Sequence, residues 1–281
     1  MVDCRLIHCK GKNPMMESHP SPADLHRRIL QAHAQLREYS DLAGRIQSTL
    51  LPKELPRVPP WRFAVHHRPR ERTGGDLHDV FRLDEDHVGF YLADVLAHGV
   101  GASLLSVFLK HAFTPKEIQG NNYRLLQPAE ALARLNREFV ALDLPEKPFV
   151  MMLYGLLGKG DSQFTFASAG TYSPLYLPRG GNPVYLPSPG GFLGVSDTPL
   201  VNQSHVLKAG DKLLLASDGI DALDAHTRTT AKEAMLDAAT QGSQLSIDQL
   251  VAQVSRALLE KCAEPDDFTL LGIEVESSRV G

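Results

Sequence analysis

The chain has 281 residues, 43% hydrophobic and 22% charged, with a formal net charge of −4 at pH 7. That balance suits one large globular domain plus an extension, or two small domains, and it offers no basic face for nucleic acid and no surface biased toward a membrane. No apolar run approaches the ~18 residues of a membrane span. The N-terminus lacks the apolar core of a secretory signal, and Cys4, Cys9 and Cys262 are too few for a disulfide framework. The cytoplasm is therefore the expected compartment.

Residues 1–20 are polar and Pro-containing and read as a tail. Cys4, His8 and Cys9 lie close together there, without the fourth ligand that a structural metal site needs. "SPADLHRRIL" then opens a helix over 21–51: Ser21 suits the N-cap, Pro22 the first helical position and Asp24 the positive helix end. Leu25, Ile29, Ala32, Leu36, Tyr39, Ala43, Ile46 and Leu50 alternate steps of four and three, the seam of a coiled coil. Such a stripe serves either a homodimer or regulatory partner through residues 22–50, or packing onto the chain's own domain. Pro52 ends the helix, and the proline-rich stretch 52–62 reads as a linker.

From 63 to 277 short apolar or alternating runs bounded by turn residues read as strands. They are "RFAVHHRP", "HVGFYLADV", "FVMMLYGLLG", "QFTFASAG", "SPLYLP", "PVYLP", "SHVLKAGDKLLLAS" and "DFTLLGIEV". Helical patterns follow "AHGVGASLLSVFLKHAF", cover "PAEALARLNREFVALD", and lie in 229–239 and 246–262. Strands grouped together, with helices in pairs, predict an α+β domain of mostly antiparallel sheets.

Carboxylates recur at the margins of these strands. "GFYLADV" runs into Asp94, "LLLASDG" into Asp218, and "EPDDFTLLGIEV" starts from Asp266 and Asp267. "RTGGDLHDVFRLD" places Asp76 and Asp79 just after two glycines. Each is an ordinary turn residue taken singly. If the strands are neighbours the acids converge, and two carboxylates ~5 Å apart repel by about 3 kcal/mol at an effective dielectric near 20. Such a cluster needs protons or a cation, and an all-oxygen donor set favours Mg²⁺ or Mn²⁺ over zinc.

The motifs "TGGDLHD", "ADVLAHGVGASLL", "MLYGLL", "FASAGTYSPLYL", "FLGV", "AGDKLLLASDGI" and "DDFTLLGIEV" occur in one order. In that order they resemble the metal-dependent (PPM-type) serine/threonine protein phosphatases, in their bacterial stage II sporulation/RsbU-like branch. The resemblance spans about residues 46–275, beginning at "IQSTLLP", which is similar to the branch's junction between regulatory helix and catalytic domain. It implies a four-layer α-β-β-α sandwich with two Mn²⁺ or Mg²⁺ ions at one end of the central sheets. Asp94 matches the carboxylate bridging both ions, Val95 the position lending a backbone carbonyl, and Asp218 and Asp266 the second ion's ligands. Asp76 matches the first acidic position, and Asp267 adjoins Asp266 within one residue of register.

The implied reaction is hydrolysis of phosphoserine or phosphothreonine on a protein, such as an anti-sigma-factor antagonist, by water activated between two metals. Gly74 and Gly75 would let backbone approach the phosphate, and Arg72, with Arg68 and Arg70, would help to hold it. The helix from Gly99 would point its positive end at the site. Where the family commonly reads Ser-Gly-His-Gly, this chain has Leu96-Ala97-His98-Gly99. His98 is retained, either to orient water or give a proton to the leaving serine, or as a loop residue held by backbone. Ala169-Gly170-Thr171 stands where the branch often shows Ala-Gly-His. The altered loop motivates an alternative, a phosphatase-fold protein that binds a partner with weak or no turnover.

Overall fold

The computed structural model describes residues 21–70, 74–97, 99–160, 162–170, 173–219, 230–262 and 266–276. It divides into two compact units, at Glu38 and Tyr39. The first helix, α1 (Pro22–Leu50), starts where the sequence predicts it. Ser21 Oγ accepts the Asp24 N–H at 3.1 Å and donates to the Asp24 carboxylate at 2.7 Å, so one hydroxyl satisfies an orphan donor of the first turn. In the N-terminal unit Leu25, Ile29 and Leu36 of the heptad stripe are exposed.

In the second unit Tyr39 and Ile46 of the same stripe are also exposed, while Gly44 and Gln47 are buried and Leu51 packs on the core. The face of residues 39–50 that packs on the domain is thus offset from the stripe.

The rest of this unit comprises β1 (Trp61–Arg68), β2 (Asp76–Arg82), β3 (His87–Leu96), α2 (Gly99–Ala112), β4 (Lys116–Gln119), β5 (Asn122–Leu125) and α3 (Pro128–Val140). There follow β6 (Phe149–Gly158), β7 (Gln163–Ala169), β8 (Leu175–Leu177), β9 (Val184–Tyr185), β10 (Gln203–Val206), β11 (Lys212–Ala216), α4 (Ala231–Gln241), α5 (Ile247–Leu259) and β12 (Phe268–Val275). The strands form two five-stranded sheets, ordered β1-β12-β11-β8-β9 and β10-β7-β6-β3-β2, with a β4-β5 hairpin apart. All pairs are antiparallel.

Three apolar clusters follow from the two-residue alternation of strands. Leu213, Leu215, Leu271, Ile273, Phe90, Leu92 and Val80 point between the sheets. Leu214, Phe268 and Leu270 face α4 and α5, through Met235, Leu250 and Val254. Leu77, Tyr91, Ala93 and Met152 face α2 and α3, through Leu109, Leu132 and Leu135. The outcome is the expected sandwich of helices, sheet, sheet and helices.

Three local readings change. The stretch after Gly75, read for its acids alone, is a full strand, β2, paired with β3. "SHVLKAGDKLLLAS" is two strands in different sheets, because Gly210 at φ +90° and buried Asp211 turn the chain between them. The Asp211 carboxylate accepts from the Lys208 and Arg179 N–H groups and from Tyr176 Oη. The β4-β5 hairpin carries too little apolar pattern to announce itself.

Candidate active site

The alternation that sorts the core also sorts the acids. On β2, Asp76 and His78 point between the sheets and Asp79 points outward. On β3, Asp94 shares the inward face of Phe90 and Leu92. Asp76 and Asp94 are direct register partners. On the other sheet Ser217 and Thr269 continue the inward rows of Leu215 and Leu271, and their neighbours Asp218, Asp266 and Asp267 sit at the same end. Four separate stretches of sequence thus bring polar groups to one rim of the sandwich.

Asp94 and Asp218 meet across the two sheets and share a side-chain hydrogen bond. Burial first, and then the carboxylates of Asp218, Asp267 and Asp266, push the Asp94 carboxyl up to about 8. Asp218 is raised as well, chiefly by burial. Asp76 is fully enclosed, and burial and Asp94 push it well above the carboxylate range, against hydrogen bonds from Thr269 and Ser217. Its Oδ2 accepts from Thr269 Oγ1 at 2.5 Å and from Ser217 Oγ at 2.8 Å, while Oδ1 is buried and has no partner. A buried carboxylate oxygen without a donor points to a ligand.

Asp266 and Asp267 divide their work. Asp267 accepts the Arg70 N–H at 2.7 Å and the Gly75 N–H at 2.6 Å. It thereby ties Arg70 to Gly75, just before β2. Asp266 is exposed, 3.5 Å from the Arg70 guanidinium. Gly74 and Gly75 are required by close approach: a Cβ on Gly74 would collide with the Asp267 carboxylate, and one on Gly75 would lie 2.5 Å from Asp94 Oδ1 and 2.6 Å from the Val95 carbonyl. Their bareness serves the acids first. The Val95 carbonyl accepts from Ala97 N–H at 2.6 Å, and its side chain is buried against α2 and α3. Asp79, on the outward face, pairs with Lys110 of α2 and lies away from the cluster. His98, Arg72 and Thr171 lie outside the described residues.

Among the described residues no group of three or more His, Cys, Asp or Glu side chains is already drawn in tightly enough to hold a metal ion. The donors nevertheless fit one: an oxygen-only set, one unpartnered buried oxygen, and carboxylates that raise one another's proton affinity suit a hard divalent cation.

Four residues at this rim escape the motif reading. Gln47 is buried, donates to the Gly74 carbonyl at 2.6 Å and to Ser106 Oγ at 2.9 Å, and accepts the Gly74 N–H at 3.1 Å. Ser217, Thr269 and His67 support Asp76. Gln47 stands within "IQSTLLP", a polar residue beside an apolar seam, and that offset was the available signal.

Residues 84–276 match the stage II sporulation protein E (SpoIIE) family. The chain belongs to that family. Of the acids, Asp94, Asp218, Asp266 and Asp267 lie within the span matched to the SpoIIE family, and Asp76 lies N-terminal to it, joined through β2 and β3. The phosphoserine phosphatase RsbU of Bacillus subtilis (strain 168) is 25% identical over 250 residues, covering 88% of this chain and 72% of RsbU. The solved RsbU and RsbW domains of Rv1364c from Mycobacterium tuberculosis superpose with a TM-score of 0.71 at 24% identity, over 81% of this chain and 63% of that one. The SiaA-PP2C domain of Pseudomonas aeruginosa gives a TM-score of 0.71 at 18% identity, over 86% of this chain and 98% of that one. These likenesses establish the sandwich fold.

Proposed function

We propose that this SpoIIE-family chain is a serine/threonine protein phosphatase that uses two Mn²⁺ or Mg²⁺ ions. The observation that carries the proposal is the meeting of Asp94 and Asp218 across the sheets, beside Asp76 and Asp266, in a cluster whose mutual repulsion a cation relieves. Asp76, Asp94, Asp218 and Asp266 would hold the ions, with the Val95 carbonyl. Asp267 is assigned to the loop, since its oxygens already serve Arg70 and Gly75. When bound, the ions supply Lewis-acid contacts for phosphoryl oxygens and lower the pKa of a water. The chain's own work is positioning: the sheets fix the acids, Gly75 admits backbone against Asp94, and the start of α2 at Gly99 would offer its first-turn N–H groups to a phosphate. The substrate fits a phosphorylated regulatory protein of the anti-sigma-factor antagonist kind, as the likeness to RsbU suggests.

The exposed heptad stripe supports control through α1, by a second copy or a regulatory protein, with residues 21–51 as regulatory helix and 63–277 as catalytic domain. Light scattering of the full chain and of a chain starting at residue 51 checks the dimer: the full chain gives twice the monomer mass and the shorter one a monomer. Hydrolysis of p-nitrophenyl phosphate with Mn²⁺, with chelator and by Asp218→Ala tests the chemistry. Turnover that depends on Mn²⁺ and disappears in the variant is expected, and turnover indifferent to both would sink the reading.

A further inference from the structure

Asp76 is the end of a hydrogen-bond chain that starts on a histidine. His67 and Thr269 are direct register partners in β1 and β12, both inward-facing, and His67 Nδ1 lies 2.9 Å from Thr269 Oγ1. Thr269, fully buried, gives its hydroxyl proton to Asp76 Oδ2 at 2.5 Å. Its N–H goes to Ser217 Oγ at 2.9 Å, and that hydroxyl donates to the same Oδ2 at 2.8 Å.

With Asp76 ionised, as a carboxylate that holds a cation is, counting protons fixes the direction of the chain. A threonine hydroxyl carries one proton, and here it is committed to the carboxylate. The contact with His67 must then be made by a proton on Nδ1, with Thr269 Oγ1 accepting. Burial, with His66 next to it, lowers the His67 pKa and favours the neutral ring. The His78 ring packs beside it at 5.2 Å between centroids and holds its plane.

We infer that His67, as the Nδ1–H tautomer, is a positioning residue for Asp76: it orients the Thr269 hydroxyl so that both donors fall on Oδ2 and Oδ1 alone is presented to a ligand. Both the role for Oδ1 and the ionised Asp76 that sets the tautomer rest on the metal reading above. An outer hydrogen bond of this kind orients an acid that a cation then meets, and its loss typically weakens metal affinity about 10–100-fold.

Two measurements test it on the full chain. The ring ¹⁵N–¹H correlation spectrum of histidine-labelled protein, assigned with His67→Asn, is expected to show His67 protonated on Nδ1 in saturating Mg²⁺, where Asp76 is ionised. A ring protonated on Nε2 alone, or on both nitrogens near neutral pH, overturns the inference. Mn²⁺ titration is expected to show His67→Leu and the isosteric Thr269→Val weakened by about 10–100-fold. His67→Asn, whose amide N–H can stand in for Nδ1–H, should recover most of that loss. Equal affinity in wild type, His67→Leu and Thr269→Val overturns the positioning role. A wild type that binds neither ion overturns the metal reading and with it this inference, an outcome distinct from wild-type binding that the variants leave unchanged.

Discussion

Gln47 and Gly74 are joined twice: the Gln47 amide donates to the Gly74 carbonyl at 2.6 Å and accepts its N–H at 3.1 Å. The side chain imitates a neighbouring strand for one residue, two positions before Asp76, and also reaches Ser106 on α2. Gln47→Leu would leave both backbone groups of Gly74 buried without partners, at about 1–3 kcal/mol each. Urea unfolding should show that loss. Turnover should fall on the order of 10²-fold, since a displaced loop misplaces Asp76. An unchanged unfolding midpoint would show that Gly74 finds other partners.

Asp266 and Asp267 should separate cleanly by substitution. Asp267→Ala removes two charge-assisted hydrogen bonds, each worth about 1.5–3 kcal/mol, and should lower the melting temperature. Asp266 is exposed, so Asp266→Ala should hold stability within about 0.5 kcal/mol while abolishing the response to Mn²⁺. The reverse pattern would exchange the two assignments.

The shared proton of Asp94 predicts a pH effect on metal-free protein. Its folded pKa of about 8 lies above the ordinary value of 3.8, so across that window the folded chain holds a proton that the unfolded chain releases. Stability from this group is complete below about 3.8 and is lost as pH rises toward 8. Thermal melts in chelator should therefore fall between about pH 5 and pH 8, and Asp94→Asn should flatten that slope. Mn²⁺ competes with the same proton, so its stabilising effect should grow over the same range. A melting temperature that rises with pH in the wild type and is unaffected by Asp94→Asn contradicts the assignment.

Lys110 and Asp79 pair on the opposite face of β2, with side chains 25% and 15% exposed. Lys110→Met would strand the carboxylate at a cost of about 3 kcal/mol, the lower range for a buried pair broken on one side. Lys110→Met with Asp79→Leu should recover much of it. Chemical denaturation of the three proteins reads this, and equal stability throughout would mean the pair is solvated.

The fold was legible where strands were apolar throughout, as in 149–158 and 213–216, or ended on an acid, as at Asp94. Ser21 and Pro22 marked the start of α1 because capping is a local matter. The strand β2 was not legible, since Asp76, His78 and Asp79 break up the alternation of Leu77, Val80 and Phe81. Thr269 and His67 were unreadable for another reason: their roles depend on register between strands some 200 positions apart. Gln47 required knowing which stripe of a helix faces inward, and the more regular stripe was the exposed one.

The pairing of β1 with β12 has a consequence for synthesis. β1 is an edge strand whose sheet partner is β12, the last strand in chain order among the described residues. A chain emerging from the ribosome carries Asp76 and Asp94 early, but Asp266, Asp267 and Thr269 come out only after every other strand. No product that stops short of β12 can assemble the acidic rim, and β1 has no ladder to join until the whole domain is free. Competence arrives with that final strand, so translation products that end before it would be silent rather than unregulated.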